Sequence, residues 1–174
     1  AAGLCHSDLH VQKGYMDLGE EGRLTFAERG AQLPMTFGHE IAGFVEAVGD
    51  KVKNVSIGQQ VLVFPWIGCG DCLACNEDRE SDCSAMRIIG LKQKGGFATH
   101  CLIENEKFLI NIDGLNAAEV VPHACSGITV YNALEKIGFL RDGEWLAVMG
   151  CGGLGLNAIA IAGAMGFDNI IGID

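Results

Sequence analysis

The fold is decided by residues 145–155, which read WLAVMGCGGLG. The apolar run Trp145–Met149 predicts a buried strand, and the apolar residues of Leu154–Met165 predict a helix directly after the glycines. A second short strand is predicted at Ile170–Ile173. The order strand, glycine turn, helix, strand is typical of one βαβ unit in a parallel sheet. We therefore predict an α/β domain in this part of the chain.

The glycines of this turn have the spacing Gly-x-Gly-x-x-Gly, which by itself also occurs in ordinary turns. Here the spacing follows a predicted strand, opens a predicted helix and is followed by Asp174, 19 residues after Gly155. Such a turn lets the backbone approach a pyrophosphate, and an acid at the end of the next strand accepts hydrogen bonds from ribose hydroxyls. We predict a dinucleotide site with a preference for NAD over NADP, the alternative being a structural turn of another α/β fold. The predicted cofactor-binding residues of the turn and strand are Gly150, Gly152, Gly153, Leu154, Gly155 and Asp174.

The chain before this unit has a different pattern, with short Val- and Ile-rich stretches separated by glycines. Ile41–Val48, Gln60–Val63 and Phe97–Ile103 are predicted strands of a small barrel. The polar stretch Val11–Pro34 predicts an exposed loop or a short helix. Helical spacing from Gly127 to Ile137, with Ser126 as the capping residue, predicts the first helix of the second part. We therefore predict two domains, at residues 1–126 and 127–174.

Four of the eight cysteines lie close together in the sequence, as Cys69, Cys72, Cys75 and Cys83. Four thiolates at this spacing can close a tetrahedron around zinc with no position left open, which indicates a structural site. Two disulfides, or a redox-active Cys-x-x-Cys pair, are the alternatives.

A second metal site is suggested by residues that are far apart in the sequence. Cys5, His39 and Cys125 could supply two thiolates and one imidazole, which leaves the open fourth position that a catalytic zinc needs. Sequence distance does not show that the three meet in space, and a histidine beside an apolar strand is often a core residue. Both interpretations stay open on the residues alone.

The motifs occur in an order that resembles the zinc-containing medium-chain alcohol dehydrogenases. They are Cys-His-Ser-Asp-x-His (5–10), Gly-His-Glu-x-x-Gly (38–43), the four-cysteine motif (69–83), Cys-x-x-x-Thr (125–129) and the glycine motif (150–155). The resemblance implies a GroES-like β-barrel catalytic domain joined to an α/β Rossmann domain, both truncated in this chain. It also implies a zinc-dependent, NAD-linked enzyme that transfers hydride between a primary or secondary alcohol and NAD. Residues 65–69 and 124–127, with the Val11–Pro34 insertion, are most similar to the 6-hydroxyhexanoate dehydrogenase-like branch.

The resemblance also implies a role for each matching residue. Cys5, His39 and Cys125 would hold one catalytic zinc, beside the acid Glu40, and the four cysteines would hold one structural zinc. Asp8 would orient His39. Ser7 and His10 would form a proton relay for the alcohol. His6 would approach the pyrophosphate, and Thr129 would contact the nicotinamide. The resemblance implies no role for Cys101, Cys151, His100 or His123.

The composition limits the class of partner. A formal net charge of −10 argues against a nucleic-acid surface, where Lys and Arg must neutralise phosphates. No apolar run approaches the roughly 18 residues that span a bilayer. We expect a cytoplasmic protein that acts on a small alcohol, aldehyde or ketone, and that forms a homo-oligomer when complete. We also expect the chain to be a fragment and inactive alone. The rival hypotheses are a zinc-stabilised binding module without catalysis and another reductase of the same superfamily.

Overall fold

The computed structural model describes residues 1–138 and 140–174. These residues form two compact units, Ala1–Val121 and Pro122–Asp174, which we call unit 1 and unit 2. The domain boundary expected after residue 126 therefore falls inside unit 2.

Unit 1 consists of short strands connected by long loops and three helices. In chain order the elements are β1 (Ala2–Gly3), α1 (His6–Lys13), β2 (Tyr15–Asp17), β3 (Arg23–Thr25), β4 (Glu40–Phe44), β5 (Gln60–Val63), β6 (Trp66–Ile67), α2 (Leu73–Asn76), β7 (Arg87–Ile88), β8 (Leu109–Asn111) and α3 (Ala117–Val120). Short 3-10 turns lie at Gly19–Glu21, Glu80–Asp82 and Glu106–Phe108.

The main sheet of unit 1 is antiparallel and has the strand order β1-β4-β5-β8. Ile41 of β4 lies opposite Val63 of β5, and both side chains are buried. They pack with three further buried side chains from the neighbouring loops and strands, Ile67, Ile89 and Phe108. This apolar core fixes β4, and thereby the residues at its beginning.

Three sequence predictions for unit 1 need correction. The strand predicted at Ile41–Val48 ends at Phe44, although Val45 still exchanges backbone hydrogen bonds with the opposite segment. The strand predicted at Phe97–Ile103 is wrong, because residues 97–103 form no strand and the N–H of Phe97 donates to the carbonyl oxygen of Phe37 (3.0 Å) in a loop. Residues Val11–Pro34 are not a simple loop, since they contain the end of α1 and the β2–β3 hairpin.

Unit 2 contains α4 (Ser126–Ile137), β9 (Leu146–Met149), α5 (Gly153–Ala164) and β10 (Ile170–Ile173), and a 3-10 turn at Val121–Ala124 precedes α4. The two strands pair in parallel, with Leu146 opposite Ile170. The buried side chains of Leu134, Leu146 and Ala162 join α4 and α5 to β9. The predicted strand–turn–helix–strand unit is therefore confirmed. Within the described residues, no helix combines the length and the apolar character that a membrane span requires.

Candidate functional site: two metal-ligating clusters and a glycine-rich loop

The first cluster joins the start of α1 to the start of β4. Cys5 is the residue that caps α1, and Glu40 is the first residue of β4. One ligand atom from each of Cys5, His39 and Glu40 lies within 4.8 Å of the others. The side chains of His39 and Glu40 are almost completely buried, at 7% and 6% exposure. A sulfur, a nitrogen and an oxygen donor thus meet in unit 1, and two of them belong to the predicted ligands Cys5 and His39.

Asp8 lies behind this cluster and is only 3% exposed. Its carboxylate accepts hydrogen bonds from the backbone N–H of Cys5 (3.0 Å) and of Gly38 (3.2 Å). The same carboxylate lies 3.3 Å from Nδ1 of His39. Because Nδ1 is turned to Asp8, Nε2 is the ring nitrogen that remains for a metal. One buried carboxylate therefore orients both the cysteine and the histidine.

The electrostatics of the cluster favour an added cation. Burial disfavours a charged imidazole, but the hydrogen bond to Cys5 and the charge of Asp8 outweigh burial and raise the pKa of His39. Burial, followed by the negative charge of Cys5, raises the pKa of Glu40. Negative charge at Cys5 thus lies close to the buried carboxyl group of Glu40. A divalent metal would offset this negative charge, since it favours the deprotonated form of every ligand.

The other residues predicted to act at this end of the chain lie on α1, which begins directly after Cys5. Ser7 and His10 are partly buried, whereas His6 is exposed. The rings of His6 and His10 lie one helical turn apart, with their centroids 4.7 Å from each other. The helix therefore presents these two rings on one face.

Cys125 and Thr129, the two remaining residues predicted near the zinc and nicotinamide, belong to unit 2. Cys125 caps α4, so the prediction that Ser126 is the capping residue is wrong. Ser126 is instead the first helical residue, and its hydroxyl donates to the carbonyl oxygen of Pro122. The hydroxyl of Thr129 donates to the carbonyl oxygen of Cys125 (2.9 Å), while the residue as a whole is exposed.

The second cluster contains the four cysteines predicted to bind a structural zinc, in the loop between β6 and β7. Their sulfur atoms lie within 4.8 Å of one another, and none of the four forms a disulfide. The backbone N–H of Cys69 donates to the sulfur of Cys83 (3.4 Å), and this bond is the largest of the causes that lower the pKa of Cys83 to about 7. In the same cluster, a hydrogen bond with Asp71 is the largest of the causes that raise the pKa of Cys69 to about 12. A thiol that ionises near neutral pH is ready to bind a metal. The four sulfur atoms are thus close enough together to bind one metal ion.

The surroundings of the four cysteines include residues that the motif did not indicate. A Cβ at Gly68 would overlap the sulfur of Cys75 and would lie 2.7 Å from Cγ of Glu80. The carboxylate of Glu80 forms an ion pair with Lys107. The only signal for this arrangement in the sequence was a glycine directly before the first cysteine. Gly68 therefore supplies the space in which the cysteine cluster closes.

The glycine-rich loop has the geometry of a tight strand-to-helix turn. Gly150 has a φ of +87°, in the left-handed region that favours glycine. A Cβ at Gly155 would overlap the carbonyl oxygen of Gly150, so the first turn of α5 packs directly against the end of β9. The backbone N–H of Cys151 donates to Oδ1 of Asp174 (2.8 Å). The acid predicted to bind ribose thus lies beside the loop predicted to bind pyrophosphate.

Comparisons with known proteins agree on one family. Residues 1–114 match the profile of the family described as alcohol dehydrogenase GroES-like domain. The whole chain is 42% identical to an NAD-dependent alcohol dehydrogenase of Sulfurisphaera tokodaii and 41% identical to one of Saccharolobus solfataricus. It covers 49% of each of these relatives, so the chain spans about half the length of the curated relatives it matches.

Solved structures give the same result. The chain superimposes on an alcohol dehydrogenase of Aeropyrum pernix with a TM-score of 0.84 and 31% identity, covering 99% of this chain and 49% of that one. It superimposes on the D-arabinose dehydrogenase of Sulfolobus solfataricus with a TM-score of 0.83 and 30% identity, covering 99% of this chain and 51% of that one.

Proposed function

Because the chain belongs to the alcohol dehydrogenase GroES-like domain family, we propose that the complete protein is a zinc-dependent, NAD-linked alcohol dehydrogenase. It transfers hydride between a primary or secondary alcohol and NAD. The observation that carries this proposal is the cluster of Cys5, His39 and Glu40, whose ligand atoms lie within 4.8 Å of one another over the buried Asp8. Sulfur, nitrogen and oxygen donors at this spacing suit zinc, a borderline-soft cation.

The protein would hold two zinc ions with different tasks. Cys5 and His39 of unit 1, together with Cys125 of unit 2, would hold the catalytic zinc, and Cys69, Cys72, Cys75 and Cys83 would hold the structural zinc. When bound, the catalytic zinc supplies Lewis acidity toward the alcohol oxygen and NAD accepts the hydride. A complete thiolate shell leaves no position for a substrate, so the four-cysteine site contributes stability and not chemistry.

The remaining residues of the first cluster would control geometry and protons. Asp8 would hold His39 in one orientation through its contact with Nδ1. Glu40, whose pKa is raised by burial, would lie beside the metal and help solvent and substrate to exchange. Ser7 and His10 would carry the alcohol proton from the buried cluster to the exposed face of α1. A His10→Gln variant should keep both zinc ions and lose turnover most at low pH, where hydroxide is too scarce to take the proton.

Unit 2 would supply the cofactor site as the first part of a Rossmann domain. The N-terminus of α5 and the backbone of Gly150, Gly152, Gly153, Leu154 and Gly155 would face the pyrophosphate. His6 would approach the same group from unit 1, and Thr129 would contact the nicotinamide. Asp174 would accept hydrogen bonds from the ribose and repel a 2′-phosphate, which favours NAD.

The proposed substrates are small alcohols, with the corresponding aldehydes or ketones as products. The similarity of residues 65–69 and 124–127 to the 6-hydroxyhexanoate dehydrogenase-like branch points to an alcohol with a distant polar group. A cytoplasmic location and a homo-oligomeric state belong to the same proposal.

The experiment uses the full-length protein and follows NADH absorbance with a panel of alcohols. We expect alcohol-dependent NADH formation that a Cys5→Ser variant loses by a factor of at least about 100, since an essential metal ligand is removed. Cys101→Ser is the matched control, because Cys101 belongs to neither metal-ligating cluster, and it should retain activity. Zinc binding only at the four cysteines, without NADH formation, would favour the non-catalytic binding module instead.

A further inference from the structure

Gly38 occupies a central position behind the first cluster. Its N–H donates to Asp8, and the next residue is His39. Its φ is +94°, which only glycine adopts easily. Its carbonyl oxygen accepts a hydrogen bond from the backbone N–H of Gly96 (2.8 Å). Any movement of Gly38 therefore changes both the histidine and the carboxylate that orients it.

A loop that is distant in the sequence, residues 95–97, contacts Gly38 directly. Three backbone N–H groups of residues 95–97 donate to the carbonyl oxygens of residues 36–38, at 2.8, 2.8 and 3.0 Å. A Cβ at Gly95 would overlap the carbonyl oxygens of Gly38 and Phe37 and would lie 2.5 Å from the carbonyl carbon of Phe37. A Cβ at Gly90 would lie 2.7 Å from the same oxygen of Gly38. The contact is thus made by backbone on both sides, with no flexible side chain that could move away.

We infer that Gly95, supported by Gly90, is a positioning residue for the candidate zinc site. The absence of a side chain at Gly95 lets the backbone of residues 95–97 fix the position of Gly38. Gly38 in turn fixes His39 and its contact with Asp8. This inference rests on the proposed function, because it assigns Gly95 a role toward the zinc that Cys5 and His39 are proposed to hold.

The chain offers an unusually clean substitution for this test. Gly95 does not have a positive φ, so Gly95→Ala adds a methyl group without backbone strain at the residue itself. Gly90→Ala would combine overlap with Gly38 and backbone strain, because Gly90 has a φ of +77°. Gly43→Ala in β4 is the matched control, since nothing lies within 4 Å of its Cβ position.

The experiment measures metal binding in the full-length protein, not activity. Metal-free wild type and variants are titrated with Co²⁺, and the visible spectrum separates a mixed sulfur and nitrogen site from the four-thiolate site. Gly95→Ala should weaken binding at the mixed site about 10- to 100-fold and shift its d–d bands, as expected when the support of a ligand is lost. The four-thiolate spectrum should stay unchanged, and Gly43→Ala should resemble wild type in both. An unchanged affinity and spectrum of the mixed site in Gly95→Ala would overturn the inference.

A second variant decides the matter if Gly95→Ala does not fold. The ring of Phe97 would lie 2.7 Å from a Cβ at Gly38, and Phe97 is 41% exposed. Phe97→Ala removes the ring that packs against Gly38 without adding atoms. It should weaken the mixed site several-fold in the same direction, and wild-type binding in this variant would also overturn the inference. A wild-type protein that binds no cobalt at a mixed site would instead contradict the proposed function, so the two failures are distinguishable.

Discussion

Replacement of the buried Asp8 by asparagine tests the architecture of the first cluster most severely. The carboxylate uses both oxygens, because one accepts from Cys5 N and the other accepts from Gly38 N and faces His39. An asparagine has one acceptor oxygen and one NH₂ group in their place. Whichever way the amide is turned, at least one backbone N–H meets a donor.

The magnitude follows from these contacts. A buried donor without a partner costs about 1–3 kcal/mol, and the hydrogen bonds that remain also lose the strength that a charged acceptor gives them. We therefore expect Asp8→Asn to lower the free energy of unfolding by about 2–4 kcal/mol. The zinc affinity of the first cluster should fall about 10- to 100-fold, because His39 loses the group that orients its ring.

The assay combines thermal unfolding with competition against a zinc chelator in the full-length protein. Asp17→Asn is the control, since the side chain of Asp17 is 63% exposed and its replacement should change the free energy of unfolding by less than about 0.5 kcal/mol. An Asp8→Asn protein with wild-type melting temperature and wild-type zinc affinity would refute the reasoning.

Three further predictions address the rest of the chain. Cys72→Ser should lower the melting temperature by several degrees and remove one zinc ion, whereas Cys101→Ser should keep both zinc ions; unchanged zinc in Cys72→Ser would exclude a structural site there. Asp174→Gly should raise the NADP to NAD ratio of kcat/KM, and a wild type that already prefers NADP would contradict the assignment. Lys107 lowers the pKa of Glu80 from its usual 4.5, so this pair stabilises the fold above about pH 4.5 and loses its effect as the pH falls through the lowered value. In Lys107→Met the melting temperature should therefore fall less steeply as the pH is lowered below about 4.5. The same pH dependence as in the wild type would show that the pair contributes nothing to stability.

Local patterns predicted the local structure well. The bounds of β5 and β10 are those predicted from apolar runs, and α5 begins one residue before its predicted start. The four-cysteine cluster was predictable because ligands a few residues apart in one loop meet without help from the rest of the fold. In these cases the residues that form the sequence pattern are also the residues whose contacts determine the structure.

Features that depend on distant contacts were not predictable in this way. Cys5 and His39 meet because β1 pairs with β4 and because Asp8 contacts both residues, and the sequence alone left that meeting open. The segment 97–103 has the composition of a strand, but its first N–H, that of Phe97, donates to the carbonyl oxygen of Phe37 in a loop. Strand propensity reports how a side chain fits a pleated surface and does not say which backbone lies beside it. The contact of Gly95 with Gly38 has no sequence signal, because glycine leaves no pattern of polarity or size.

The most direct test of the proposed catalytic zinc is a crystal structure of the full-length protein with anomalous data at the zinc edge. We predict two peaks in each chain. One should lie about 2.0–2.3 Å from Cys5 Sγ and a ring nitrogen of His39, and the other should lie among the four sulfurs of the cysteine loop. A single peak at the cysteine loop, with Cys5 and His39 free of metal in protein purified with zinc, would contradict the account.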